Sequence, residues 1–425
     1  MKTLGSSAAL RMLVLVAIFI SSVLIARALG PDGRGYYQAV ATTALLVASL
    51  GGMSAELAFA QIAARQPDQR GHLISTIVYG AWTFGGILAL LTLGVGYIAP
   101  LGPEWSQYGL AALAALTLLA LAGTWTQRAL FLQARPRAAA VASLIEAGLA
   151  LLGMALAFHF SVLTTPLALG IAVTASFAAC LISSLTLRPR IRFASVRRLV
   201  EALRIGATFH PGQVSLQLLM RLDILVLATL SGVTSVGLYS VAVSLTVPLA
   251  VFATTVASTF MHRQFSGDDE TAASHTTDLI GLSLVLLMPL AVLIAALAPF
   301  LIPTVWGADF RESLLPLLIL LPGVVAMSVQ RPIGQYFVRT GRSRVMNVRA
   351  IVATVVNILL CLILIPQWAE VGAASASTCA YIVYAGISLL SYQRQTGQGA
   401  TALWASLRRF VRSLWPSNGG RVDAS

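Results

Sequence analysis

An arginine and an aspartate two positions apart, inside an apolar run, is an arrangement a membrane-crossing helix tolerates only for a reason. In Met220–Ala242, MRLDILVLATLSGVTSVGLYSVA, Arg221 and Asp223 stand in a stretch long enough to cross a bilayer. An ionisable side chain at the bilayer centre costs from about 3 to over 10 kcal/mol, so it is paired or faces a wet cavity. Arg221 lies about fourteen residues into its span, roughly 21 Å at 1.5 Å per residue, which makes snorkelling an awkward escape. Two positions apart on a helix are different faces, so each charge needs a partner on another helix or a ligand. Arg221 is read as lining a cavity, the alternative being an ion pair with Glu56 or Glu146. For Asp223 structural pairing comes first. Arg331 follows in the triplet Gln330-Arg331-Pro332, where Pro332 can kink the helix and free backbone carbonyls. Glu56, deep in the second span, either binds a cation or proton or neutralises an arginine. Arg128 sits near the inner end of the fourth span, a place from which its long side chain can reach the interface. These five are the candidate substrate-binding residues. Their surplus of arginine over acid suits an anionic substrate, phosphate esters above all.

No nucleophile–base pair or metal-ligand spacing accompanies them. His72, His159, His210, His262 and His275 are scattered near span ends, and Cys180, Cys361 and Cys379 lie in apolar runs without a CxxC partner. Glycine is abundant, but no phosphate-binding fingerprint follows a strand. The expectation is therefore no catalytic residue, no cofactor, no metal and no nucleotide-driven pump.

The elements that must hold these charges are transmembrane helices. The chain has 425 residues, 57% hydrophobic and 10% charged, with a mean hydropathy of +0.84. A soluble domain carries about 25% charge, and apolar runs of eighteen or more residues recur throughout. A net charge of +13 would point to nucleic acid in a soluble chain, but here the basic residues flank spans and set topology. The hydropathy pattern predicts twelve spans: 8–29, 36–63, 73–100, 107–133, 138–160, 165–187, 207–230, 236–262, 276–302, 313–338, 345–365 and 371–392. Short connections make neighbours antiparallel. With the N-terminus inside, one face collects Lys2, Arg11, Arg65, Arg70, Arg128, Arg135, Arg137, the Arg188–Arg204 run, Arg263, the Arg339–Arg349 run and the tail arginines. The other holds Arg27, Arg34 and Arg311. Trp105, Trp306 and Trp368 fall at outer turns, where interfacial aromatics belong.

The spans also repeat. Ala26–Val40, ARALGPDGRGYYQAV, aligns without a gap on the later stretch, setting Gly30 on Gly232, Gly35 on Gly237 and Tyr37 on Tyr239. That echo keeps Leu10–Ile25 as a span rather than a cleaved leader. Leu130–Leu144 resembles Tyr336–Ala350 in the same way. Repeats six spans apart keep their direction, so two six-helix lobes are expected, related by an axis along the membrane normal. The organisation predicted is an N-lobe over 1–187, a basic amphipathic helix on the inner face over 188–206, a C-lobe over 207–392, and a cytoplasmic tail over 393–425. In that tail, Leu403, Trp404, Leu407 and Phe410 form an interfacial helix, and the residues beyond Pro416 are expected to be disordered. The fold class is thus all-α integral membrane.

Taken in order, ARALGPDGRGYYQAV, the RLD of span seven followed by VGLYSVAVSL, LIPTVWGADFRESLLPLLILLPG, the RTGR turn and IPQWAEVGAASASTCAYI resemble polysaccharide flippases of the MOP exporter superfamily. These translocate undecaprenyl-diphosphate-linked oligosaccharides. The resemblance runs from about residue 5 to residue 392. It implies two pseudo-symmetric lobes around a central V-shaped cavity with a cationic lumen, in a bacterial inner membrane with both termini cytoplasmic. It implies as partners a lipid-linked glycan, membrane lipids, glycosyltransferases inside, and a polymerase and chain-length regulator outside, with no nucleic acid. Residue by residue, Arg221 and Asp223 match a recurrent charged motif. Two rivals remain: a cation-coupled multidrug exporter of the same superfamily, in which Glu56 or Asp223 titrates, and a membrane oligosaccharide polymerase or ligase, which short outer loops disfavour.

Overall fold

The computed structural model describes residues 2–65, 70–98, 106–259, 264 and 268–414. Trp105, His262, Arg263 and the tail residues 416–425 lie outside them. Every element among the described residues is helical: Lys2–Gly51 (α1), Ala55–Arg65 (α2), Arg70–Ile98 (α3), Gln107–Leu132 (α4), Pro136–His159 (α5), Thr165–Leu187 (α6), Val196–Thr259 (α7), Asp269–Leu301 (α8), Leu314–Ser328 (α9), Gln330–Arg339 (α10), Ser343–Thr396 (α11) and Ala400–Leu414 (α12). Short π and 3-10 turns, Ile302–Trp306 and Ala308–Ser313, follow α8.

Nine stretches among the described residues are long and apolar enough to cross a membrane. Three of them contain one residue with non-helical dihedrals: Gly30 in α1, Gly232 in α7 and Ala369 in α11. The stretch Leu10–Gly51 has 42 residues, about 63 Å at 1.5 Å per residue against a hydrocarbon layer of about 30 Å, so each broken helix supplies two spans. Outer loops were expected over 29–36, 230–236 and 365–371. The chain instead turns at a single residue: at Gly30 and Gly232 glycine at positive φ costs no Cβ clash, and Pro31, lacking an N–H, begins the next helix where no donor is needed, whereas at Ala369 an alanine takes a positive φ.

Contacts divide the chain into two compact units, one of Met1–Ser240 with Pro303–Phe310, the other of Val241–Ile302 with Arg311–Ser425. In the first, Trp125 is fully buried, edge-on to Phe59 at 5.2 Å and stacked on Phe84 at 6.0 Å. Lipid is as apolar as leucine, so such close packing rather than water exclusion holds helices together, each aromatic pair contributing about 0.5–1.5 kcal/mol. In the second, Tyr336, Phe337 and Tyr392 gather with Ile280 and Ile333. Large apolar side chains outside these cores face outward, including Leu90, Val292 and Phe300, a surface that only lipid satisfies.

One expectation about an amphipathic helix needs adjusting. The 188–204 segment is not one helix. Arg188 takes a left-handed cap, Ile191–Phe193 forms a 3-10 turn, and α7 begins at Val196. The turn is stapled to α3: Arg190 N–H donates to Ser75 Oγ at 3.0 Å, Ser195 N–H to Thr76 Oγ1 at 3.1 Å, and the Phe193 ring meets His72 at a tilt, centres 4.2 Å apart. The α12 helix packs one side on α8, with Ser406 buried against Gly281 and Trp404 exposed. Trp306 is also not a surface anchor. It is buried and meets Phe19 edge-on at 5.4 Å.

Candidate functional site

The two echoing turns meet in the first unit. Gly30 and Gly232 share a conformation, φ 64, ψ −171 against φ 81, ψ 174. A Cβ on Gly35 would strike the carbonyl of Val233, and one on Gly237 would strike that of Pro31. Under the alignment of Gly30 on Gly232, Pro31 is the counterpart of Val233, so the contact is reciprocal. At its centre Thr234 Oγ1 donates to Asp32, the counterpart position, at 2.5 Å.

The same turns dispose of two charges. Asp223 is buried and accepts from the Tyr239 hydroxyl at 2.5 Å. Sixteen residues of straight helix would separate the two by about 24 Å, so this bond exists because α7 folds back at Gly232. Structural pairing of Asp223 is thus what the geometry gives, with a partner from the next span of the same helix. Arg34, expected in an outer loop, is also buried. It donates to Ser22 O at 2.5 Å, Ser22 Oγ at 2.9 Å and Ser240 Oγ at 2.8 Å. A guanidinium that makes four bonds to hydroxyls and carbonyls can be buried without a counter-acid. Arg27 caps the π turn through the carbonyls of Thr304 and Val305.

Of the other candidates, Arg221 is half-buried on α7. Glu56 lies in the first turn of α2, and Arg128 near the end of α4. Both belong to the first unit and Arg331 to the second.

Arg331 opens a cluster that the sequence reading missed. Between α9 and α10 the helix is interrupted at Val329, just where Pro332, having no N–H, cannot serve the carbonyl four residues back. Arg331 is exposed there, and the neighbouring Gln330 is buried, donating Nε2–H to the Tyr384 hydroxyl at 3.0 Å. Arg349 had been counted among inner-loop charges; it is 1% exposed, its guanidinium 4.5 Å from the centre of the Phe337 ring. Its Nε donates to Val345 O at 3.2 Å, and neither Nη1 nor Nη2 has a hydrogen-bond partner among the described residues. The signal that would have found it is its position six residues after Ser343, inside the apolar run rather than before it.

The second echo is a conserved turn geometry, displaced by one residue from the sequence alignment. Arg135 N bonds Leu130 O and Ala134 N bonds Phe131 O, while Arg342 N bonds Phe337 O and Gly341 N bonds Val338 O. Arg342 therefore answers to Arg135, Arg349 to Ala142, Arg331 to Thr124 and Gln330 to Gly123. In the first unit those three positions line a cavity of about 320 Å³. It also holds Gln127, Tyr37 and Glu146, whose carboxylate accepts from Ser176 Oγ at 2.6 Å.

Residues 2–261 match a family model described as polysaccharide biosynthesis protein. Among solved structures, the chain is similar to lipid II flippase MurJ in an inward closed conformation, at 15% identity and TM-score 0.76, covering 96% of this chain and 92% of that one. It is similar to an inward-facing multidrug resistance MATE family transporter of the MOP superfamily, at 15% identity and TM-score 0.71 over 92% and 96%. It is also similar to a MOP superfamily transporter from Pyrococcus furiosus Vc1, at 13% identity and TM-score 0.60 over 92% and 93%. At these identities the likeness is one of fold. No curated protein matches by sequence.

Proposed function

The chain belongs to the polysaccharide biosynthesis protein family, and on that premise we propose that it is a flippase moving undecaprenyl-diphosphate-linked oligosaccharide from the inner to the outer leaflet by alternating access. The observation that carries this is Arg221, a guanidinium well inside an apolar span of a chain of that family. The diphosphate head group and glycan enter from the inner leaflet while the lipid tail stays in the bilayer. Arg221 and Arg331 offset the desolvation of the diphosphate, Asp223 fixes the helix that carries Arg221, and Glu56 and Arg128 complete the set of candidate residues. An inside-negative potential favours outward movement of an anion by about 2.3 kcal/mol per charge per 100 mV. In this reading the lobes are 1–187 and 207–392, joined by 188–206, with the tail 393–425 and both termini in the cytoplasm of a bacterial inner membrane. Glycosyltransferases supply the substrate, and a polymerase and chain-length regulator receive it.

In cells, Arg221→Ala should abolish export of surface polysaccharide while leaving the amount of membrane-inserted protein unchanged. Normal polysaccharide in that variant would remove the assignment.

A second reading, a cation-coupled exporter, draws on Glu146 in the cavity of the first unit. It requires that Glu146→Gln stop the extrusion of organic cations, measured as fluorescent dye efflux from vesicles. Dye efflux unaffected by the substitution would dismiss it.

A further inference from the structure

Where α4 gives way to α5, the first unit has an opening bordered by positive charge. Leu132, Gln133, Ala134 and Arg135 of that turn line a cavity of about 240 Å³ together with Ile74 of α3. Ala134 takes φ 56, and that tight turn sets Gln133 and Arg135 together in the cavity's lining. Arg135 is exposed and makes one hydrogen bond among the described residues, from Nη1 to Thr186 O near the end of α6, at 3.1 Å. Gln133 is the opposite case: its Oε1 is buried and has no donor among the described residues. Two further arginines are tied to the same corner. Arg190 N–H donates to Ser75 Oγ, next to Ile74, at 3.0 Å, and Arg188 caps α6 two residues after Thr186. Both are exposed, and none of the three arginines makes an ion pair among the described residues. The equivalent turn of the second unit has its own acid: Arg339 pairs with Asp269, at the start of α8, at 3.3 Å. One residue further into each span, Phe131 of α4 and Leu185 of α6 are exposed.

We propose that this corner binds the head group of an anionic phospholipid of the phosphatidylglycerol type. Guanidinium nitrogens bond phosphate oxygens in pairs. Arg135 has Nε and Nη2 left for that, and Arg188 and Arg190 add to the attraction. A head-group hydroxyl donates to Gln133 Oε1, giving a buried acceptor the partner it lacks. The acyl chains run along Phe131 and Leu185. Those two side chains decide the source of the phosphate. A free anion gains nothing from an apolar flank, whereas a bilayer lipid presents its phosphate at the depth where spans end, with its chains alongside them. The assignment needs only that the chain crosses a bilayer, and it is independent of what the chain transports.

The test is calorimetric titration of the purified full chain in detergent with short-chain phosphatidylglycerol, phosphatidic acid, phosphatidylcholine and inorganic phosphate as separate probes. Phosphatidylglycerol should bind at least tenfold more tightly than phosphatidylcholine or inorganic phosphate. Arg135→Gln should lose at least tenfold in affinity for it. Gln133→Leu should lose a few-fold for phosphatidylglycerol and little for phosphatidic acid, which lacks the head-group hydroxyl. Arg342→Gln, at the equivalent turn of the second unit, should bind as wild type does. Equal losses in Arg342→Gln and Arg135→Gln would reduce the effect to diffuse surface charge and overturn the proposal. Unchanged phosphatidylglycerol affinity in Arg135→Gln overturns it too, as does inorganic phosphate binding as tightly as the lipid. Should Arg135→Gln not fold, unchanged affinity in both Gln133→Leu and Arg190→Gln overturns it equally.

Discussion

The two units carry the same turn at the entry to α5 and to α11, yet what lies seven residues beyond it is opposite in character. In the first unit Ala142 borders a cavity whose one carboxylate, Glu146, is bonded to Ser176. In the second, Arg349 occupies the matching position with two unpartnered nitrogens. Buried charge elsewhere in the first unit is fully answered, Arg34 by Ser22 and Ser240 and Asp223 by Tyr239. The difference teaches that duplication preserved backbone and divided chemistry. At these positions the first unit has a cavity with an acid, and the second has Arg331 and Arg349. Buried polar groups are ordinarily satisfied, and Arg349 is the charged side chain among the described residues whose buried nitrogens are not.

The strongest way to break this comparison is at the reciprocal turns on which both repeats depend. Gly35→Leu and Gly237→Leu each drive a side chain into a backbone carbonyl, a clash that costs more than about 3 kcal/mol. Both should abolish folded protein as seen by size-exclusion chromatography in detergent. Loss in one and not the other would mean the contact is not the symmetric element described.

Next in size is Arg349→Met. Replacing a buried, uncompensated charge by an apolar group of similar length stabilises by about 1–4 kcal/mol in known cases. The melting temperature in detergent without phosphate should rise. A fall would say that Arg349 is already paid for by its surroundings.

Tyr239→Phe comes third. It leaves the Asp223 carboxylate one hydrogen bond short, at a cost of about 1.5–3 kcal/mol, read as a lowered unfolding midpoint, with Asp223→Asn in the same background recovering part of it. Fourth is Ala142→Leu, which fills part of the first unit's cavity. If the space is only a packing gap, stability rises by about 1 kcal/mol with export unchanged; a loss of export would give the cavity a role.

The smallest effect concerns Asp268, which caps α8 by accepting from Thr271 N–H at 2.9 Å. That hydrogen bond, more than the nearby Arg339, holds its carboxyl below the usual carboxylate range. The cap's contribution is therefore present above that range and lost as pH falls through the lowered value. Asp268→Ala should melt slightly earlier at pH 7, with the gap to wild type closing in acid.

The membrane fold was legible because a 20-residue apolar run has few other homes, and the repeat was legible because glycine at a forced conformation leaves a mark in sequence. Gly30 and Gly232 are such marks. What composition could not disclose was depth. Arg34 and Arg349 look like loop charges when counted for topology, since both sit near span ends, and only their neighbours in space show them buried. The alignment of the second echo was one residue out for a related reason: side-chain likeness of Phe131 and Phe337 competes with backbone likeness, and hydrogen bonds decide. Glu146 was visible as an intramembrane acid, but a cavity is formed by residues on several helices and has no linear signature.

The clasp at Arg34 has a consequence for biosynthesis. Its acceptor Ser240 lies 206 residues downstream, so at 5–20 residues per second the ribosome needs about 10–40 s to deliver it. Through that interval the guanidinium has to stay hydrated at the membrane surface or be sheltered by the insertion machinery, and the first hairpin stays unfinished. Completion of the N-terminal half is thus timed by the arrival of the eighth span, and a chain truncated before it would emerge with its entry hairpin open.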